Sequence, residues 1–415
     1  MSITFHHAVL SNGLTVIAEL NDQVRSIATG FFVRTGRRDE NPAQAGVSHF
    51  LEHMVFKGTD RRDALQVNRD FDRVGARHNA QTSEEDTVFH VTCLPEYLAT
   101  AFDVLSDILR PQLRAEDFET EKEVIIEEIQ MYLDNPMMVA YEAAKAAHFG
   151  DHPLGISVLG SEQTVRGLTI EQMHDYFKER YSPKNMVLAF TGNGQWDRLV
   201  DLAERKCGHW QGDASGREAR RAHGLHGFQA LLRAEDNQMT VVGVTDAPCV
   251  ESSDRHASAL LTVVLGDSTN SRLYWELIDP GHADGVDLSF QDYNQSGAYY
   301  TFLSCEPEGI QANLERIAEV YRQVTAEPPS EDELARAKNK VLARSVLRSE
   351  RPMGRLMPLG FTWTYLHRYM SLEEEMGRIE AVTRDDLARV LREWPLLPMT
   401  LVTAGPTTDV KPLGA

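Results

Sequence analysis

The sequence predicts an α+β fold built in duplicate. Three observations lead there. Within each half, strand-like apolar runs mix with long helical patterns. Each half closes in the same order, a helix and then a strand: Ile170–Arg180 followed by Asn185–Gly192, and Thr383–Trp394 followed by Met399–Gly405. Between the halves lies a polar, charged segment, Gln211–Arg221, which reads as a linker. The expected division is an N-terminal domain at 1–210, a linker at 211–227 and a C-terminal domain at 228–415. A chain of 415 residues accords with two or three domains.

Taken in order, the chain opens on a strand, a turn at Ser11-Asn12-Gly13 and a second strand. Further strands are predicted at Ile27–Val33, Thr87–Leu94, Met239–Val244 and Gly297–Cys305, and helices at Pro95–Leu109, Ile310–Ala326 and Ser330–Arg348. The segment Glu119–Met131 is consistent with an amphipathic helix, with Val124, Ile125, Ile129 and Met131 as its apolar contacts.

Composition narrows the function classes. Hydrophobic residues make up 42%, enough for a substantial core. The net charge of −20 argues against a nucleic-acid or anionic-membrane binder. No apolar run approaches a membrane span, and the first twenty residues have neither a basic start nor a long apolar stretch. The expected setting is the cytoplasm. Cys93, Cys207, Cys249 and Cys305 are widely spaced with no C-x-x-C pair, which reads as reduced thiols rather than a disulfide framework.

The chemistry concentrates in His49-Phe50-Leu51-Glu52-His53, an H-x-x-E-H pattern. On a helix, residues three and four apart share a face, so His49, Glu52 and His53 point into one space. Two imidazoles there can hold Zn²⁺, and the carboxylate between them can take a proton from an attacking water. Ser48 is placed to cap this helix and Gly58 to stop it. The five residues alone fit equally a helix with two surface histidines. A catalytic zinc site needs a third protein ligand. The best candidate segment holds Glu121 and Glu128, two turns apart on one face, though a solvated acidic helix would read the same way.

Four stretches, in order, carry a resemblance to a known family: Asn12–Val16, Gly46–Thr59, Gly75–Ser83 and Glu121–Glu128. The chain resembles the M16 (pitrilysin-like) zinc metallopeptidases, in particular the short single-unit members related to the mitochondrial processing peptidase. The resemblance implies two homologous α/β sandwich domains, each a mainly antiparallel sheet backed by helices, arranged as a clamshell with a partner. It implies that His49, His53 and Glu128 bind one Zn²⁺ per chain, that Glu52 is the general base, and that Glu121 orients a ligand or the water. It also implies that Asn79 and Ala80 lie on a strand that pairs with an extended peptide substrate. The residues themselves leave Asn79 open as a turn residue after Gly75.

In one place the chain departs from the family. Active members carry an Arg and a Tyr after a helix resembling Ser271–Leu277. Here those positions are Ile278 and Gly285, neither of which can donate a side-chain hydrogen bond. One missing oxyanion donor costs about 10²–10³ in rate. The expectation is therefore a zinc endopeptidase subunit whose homologous partner supplies the Arg/Tyr pair. The alternatives are a self-sufficient homodimer and a non-catalytic assembly or peptide-capture subunit.

Overall fold

Ile27–Val33 and Met186–Gly192 are buried at every position, as strands inside a covered sheet must be, whereas Arg77–Thr82 alternates between exposed and half-buried, as an edge strand does. The computed structural model describes residues 3–213, 216–217 and 219–413. Its strands are β1 (Thr4–Val9), β2 (Thr15–Leu20), β3 (Ile27–Val33), β4 (Arg77–Thr82), β5 (Thr87–Cys93), β6 (Met186–Gly192), β7 (Phe228–Leu232), β8 (Met239–Asp246), β9 (Gly285–Tyr293), β10 (Ser296–Cys305) and β11 (Thr400–Gly405). Its α-helices are α1 (Val47–Val55), α2 (Ala64–Arg73), α3 (Leu98–Ile108), α4 (Ala115–Asp134), α5 (Pro136–Phe149), α6 (Glu162–Gly167), α7 (Ile170–Arg180), α8 (Trp196–Cys207), α9 (Arg255–Gly266), α10 (Ile310–Ala326), α11 (Glu331–Ser349), α12 (Pro352–Leu366), α13 (Leu372–Ala381) and α14 (Arg384–Glu393).

Two compact units form, and neither is one continuous stretch. The first comprises 1–129, 157–218 and 346–370; the second comprises 130–156, 219–345 and 371–415. In the first, six strands run in the order β1-β2-β6-β3-β5-β4, with one parallel pair, β2–β6, and antiparallel pairs elsewhere. One face packs against α1, α3, the start of α4, α7 and α8 through Phe31, Phe50, Phe102, Phe118 and Leu188. The other face, with Ile17, Phe32 and Val187, is covered by Leu356 and Leu359 of α12. Gly360 permits that approach, because a Cβ there would lie 2.1 Å from the Phe32 ring.

The second unit repeats the plan. Its five strands run β7-β11-β8-β10-β9, with β7–β11 parallel and the rest antiparallel, the same sequence of pairings as β2-β6-β3-β5-β4. One face packs on α9, α10, α11, α13 and α14, and the other is covered by Ala140, Ala144 and Phe149 of α5. The predicted pair of mainly antiparallel sheets backed by helices is the observed fold. The predicted linker includes Ala214, Ser215 and Glu218, which lie outside the described residues; its described residues form no helix or strand before β7. The four cysteines are free, with Cys93, Cys207 and Cys305 buried. Among the described residues no helix is long and apolar enough to cross a membrane.

Candidate metal centre

The local sequence makes α1 a rigid carrier. Val47, Phe50, Leu51, Met54 and Val55 are buried, and Phe50 stacks on Phe118 of α4 with ring centroids 4.6 Å apart. The helix starts at Gly46, whose φ of 98° favours glycine and which has no side chain to cap with. Glu40, six residues upstream, does that work. Its two carboxylate oxygens accept hydrogen bonds from the Gly46 and Ser48 amides, each at 2.8 Å. Arg37 lies 3.5 Å from the same carboxylate. The expectation that Ser48 caps the helix is therefore corrected. Ser48 lies within the helix, where a cap cannot act, and its hydroxyl instead pairs with Tyr176 Oη at 2.7 Å.

Phe118, Ile125, Ile126 and Ile129 bury one face of α4. Val124 and Met131, expected as apolar contacts, are instead 44% and 70% exposed, because the helical register turns them off that face. The register places Glu121 and Glu128 toward the histidines of α1. Glu128 Oε2 lies 3.7 Å from both His49 Nε2 and His53 Nε2. One ligand atom from each of His49, His53 and Glu128 falls within 4.8 Å of the others. Glu121, its side chain 4% exposed, accepts a hydrogen bond from His53 Nδ1 at 2.9 Å and forms an ion pair with Lys57. With Nδ1–H given to Glu121, the neutral ring would turn its Nε2 lone pair toward Glu128.

Glu52 is tied to the edge of the sheet. Thr82, the last residue of β4, donates its hydroxyl to Glu52 Oε2 at 2.5 Å. Asn79 and Ala80 lie on β4, paired with His90 and Phe89 of β5, and β4 has no neighbour on its other side within this sheet. Asn79 is thus a strand residue and not part of a turn. Reasoning from sequence missed Thr82 and Lys57. Lys57 carried a signal, one helical turn beyond His53, and Thr82 only its place two residues past Ala80 in the resembling stretch.

Burial and neighbouring charges set the protonation of these groups. Burial, with His53 beside it, pulls the His49 imidazole down to about 3, so it is neutral and able to donate a lone pair. Burial also lowers His53, but the Glu121 hydrogen bond and the Glu121, Glu128 and Glu52 charges outweigh this and raise it. Burial raises Glu52, opposed by the Thr82 hydrogen bond, and raises Glu128, opposed by His53. Burial would raise Glu121 too, yet the bonds from His53 and Lys57 prevail and hold it low.

Comparison with known proteins bears on this arrangement. Residues 15–162 match the profile of the insulinase family (peptidase family M16), and residues 167–341 match that of the peptidase M16 inactive domain. The chain belongs to peptidase family M16. A Mycobacterium tuberculosis protein named as an uncharacterized zinc protease is 32% identical over 390 residues, spanning 92% of this chain and 89% of its own. A Streptomyces coelicolor protein of the same description is 30% identical, spanning 98% and 90%. Among solved structures, a protease from Helicobacter pylori superposes with a TM-score of 0.90 at 19% identity, covering 97% of this chain and 100% of that one. A peptidase M16 inactive domain from Pseudomonas fluorescens gives 0.91 at 18%, covering 99% and 100%.

The donor set of this M16 chain fits zinc. Two imidazoles and one carboxylate leaving an open position is a catalytic zinc pattern, and tetrahedral ligand atoms at zinc bond lengths sit roughly 3.4 Å apart. The two Glu128–histidine spacings of 3.7 Å are within a few tenths of an ångström of that, and all three ligand atoms lie within 4.8 Å of one another. The second unit offers less. Ile278 ends a short π-helical turn and Gly285 opens β9. Arg272, close by in sequence, is held by Glu333 at 2.8 and 3.0 Å, and Tyr293 and Tyr299 are buried.

Proposed function

We propose that this M16 chain is a zinc-dependent endopeptidase subunit acting on peptides or unfolded polypeptides. The observation that carries the reading is the convergence of His49, His53 and Glu128 beside a Glu52 tethered to an edge strand. His49, His53 and Glu128 would hold one Zn²⁺ per chain. When bound, the ion supplies polarisation of a carbonyl and acidification of a water. The names of relatives about 30% identical along most of the chain support zinc as the metal.

The remaining work belongs to the protein. Substrate backbone pairs with the free side of β4 at Asn79 and Ala80, so that main-chain hydrogen bonds hold an extended peptide largely without regard to its sequence. Glu52, held by Thr82, accepts the proton of the attacking water and later delivers it to the leaving amine. Glu121 and Lys57 keep the His53 ring turned with Nε2 toward Glu128.

Because Ile278 and Gly285 provide no side-chain oxyanion donor, we infer that a second, related chain supplies an Arg/Tyr pair. The test is zinc analysis and cleavage of a quenched unfolded peptide, with and without a homologous chain that carries those residues. Glu52→Gln should keep stoichiometric zinc and lose about 10²–10⁴-fold in cleavage. Failure of the wild-type chain to bind a divalent ion would overturn the assignment, and full turnover by the chain alone would remove the partner from it.

A further inference from the structure

We propose that Arg217, in the segment between the two sequence halves, is a positioning residue that locks the β4 edge strand to the start of α1. The proposal rests on the peptidase reading above. A charged connecting segment ordinarily leaves its arginines in water, and burying one is costly unless it is paired. The Arg217 side chain is only 5% exposed. Its Nε donates to Asp39 Oδ1 at 2.9 Å. Nη2 donates to Asp39 Oδ2 and to the Glu85 carbonyl, and Nη1 lies 3.5 Å from Glu85 Oε1.

These two acceptors belong to the segment that leads into α1 and to the turn that leaves β4. Asp39 precedes Glu40, the residue that caps α1. Glu85 belongs to the turn between β4 and β5, and the residue before that turn is Thr82, bonded to Glu52. The same two segments are cross-linked by the Arg38–Glu85 ion pair at 2.6 Å and by the Arg38 amide donating to the Glu84 carbonyl at 2.8 Å. Arg217 closes the bundle from outside both segments. It touches neither the metal ligands nor the free side of β4, so it acts through Asp39 and Glu85. A guanidinium fork grips both oxygens of a carboxylate in one plane while also reaching a carbonyl, and the single nitrogen of an ammonium does not reproduce that geometry.

Removing it strands neither acid. Asp39 keeps Arg180 at 3.4 Å and the Gly36 amide at 3.1 Å, and Glu85 keeps Arg38. The experiment compares wild type, Arg217→Ala and Arg217→Lys in the full chain, with its homologous partner where cleavage requires one. Zinc affinity, steady-state cleavage and amide hydrogen exchange over 77–86 are read for each. We expect unchanged zinc affinity, a kcat lowered about 10–100-fold for a small misplacement of bound peptide, and faster exchange over 77–86 with 115–129 unaffected. Arg217→Lys, which keeps the charge and the fold, should fall between. Wild-type kcat in either variant, unaltered exchange over 77–86, or zinc affinity falling in step with kcat would each overturn the lock. A wild-type chain that neither binds zinc nor cleaves would sink the peptidase reading instead, and the exchange result would still judge the lock.

Discussion

Glu40→Ala tests whether α1 is held from its N-terminus, as its geometry requires. The wild-type carboxylate is fully buried, satisfies two helix amides at 2.8 Å each and faces Arg37 at 3.5 Å. Alanine leaves both amides without their acceptor and Arg37 without its buried counter-charge. Breaking one side of a buried ion pair costs about 3–5 kcal/mol, and unsatisfied buried donors about 1–3 kcal/mol each. These terms overlap, because the same carboxylate serves all three partners, so a total of about 4–5 kcal/mol is expected.

A chain of two units is a poor subject for a single melting temperature. Amide hydrogen exchange over 46–56 reads the opening of α1 directly. About 4 kcal/mol would speed exchange there roughly 10³-fold, as each 1.4 kcal/mol is tenfold. Glu40→Gln keeps the shape and one acceptor, but turns an amide donor toward the other N–H, so it should lie between. Exchange within tenfold of wild type in Glu40→Ala would show that the packing of Phe50 and Leu51 alone holds the helix, and the capping argument would fail.

Three further outcomes follow from the same geometry. Glu121→Gln removes the charge that pairs with Lys57 and orients His53, and should weaken zinc binding about 10–100-fold in a competition titration against a chromophoric chelator; unchanged affinity would refute the role given to Glu121. Thr82→Val should slow cleavage about tenfold, consistent with loss of a hydrogen bond to a charged acceptor, while zinc affinity stays put; an undiminished kcat would show that Thr82 does not hold the base. Asp86, buried beside Arg217 with Tyr365 donating to it, has its carboxyl pushed up to about 7 by burial. Its folded pKa thus lies above the ~3.9 of an unfolded chain, so its contribution is complete below pH ~4 and is lost as the pH rises through 7. The stability of Asp86→Asn relative to wild type, read from amide-exchange protection over 77–93, should therefore improve from pH 4.5 to 7.5, and a flat difference would refute the shifted titration.

Much of the fold could be read locally. Ile170–Arg180, Ile310–Ala326 and Ile27–Val33 occupy the spans their periodicity predicts, because amphipathic helices and fully apolar strands carry their own signal. That His49, Glu52 and His53 share one face was legible for the same reason, since their spacing is fixed by one helix. What escaped is non-local. No periodicity reveals that α5 covers the five-stranded sheet or that α12 covers the six-stranded one, since each lies far in sequence from most of the strands it meets. Ser48 was misread as the cap because a carboxylate six residues before Gly46 can do that work only after the chain has turned back on itself. Val124 and Met131 were misread because apolar composition does not fix which face of α4 finds the core.

On the proposed reading the metal-site helices are held on buried faces and β4 is held at the turn that follows it, and that difference would constrain how substrate is recognised. Both ligand-bearing helices are held by buried apolar faces, with Phe50 stacked on Phe118 and α1 pinned by Glu40 and Tyr176. The β4 strand, by contrast, is paired on one side only and alternates between exposed and half-buried residues. Its hydrogen bond to the site is the Thr82 hydroxyl, its turn is pinned by Arg38, and Ala80 and His78 pack against the core and against Phe56 and Phe71. Peptide added to β4 would extend the sheet and stiffen that strand. The gain would be passed to Glu52 through the Thr82 bond, so that the proposed binding at Asn79 and Ala80 and the placing of Glu52 would become one event. Discrimination among peptides would then lie in how well each completes the strand, with the metal ligands indifferent to sequence.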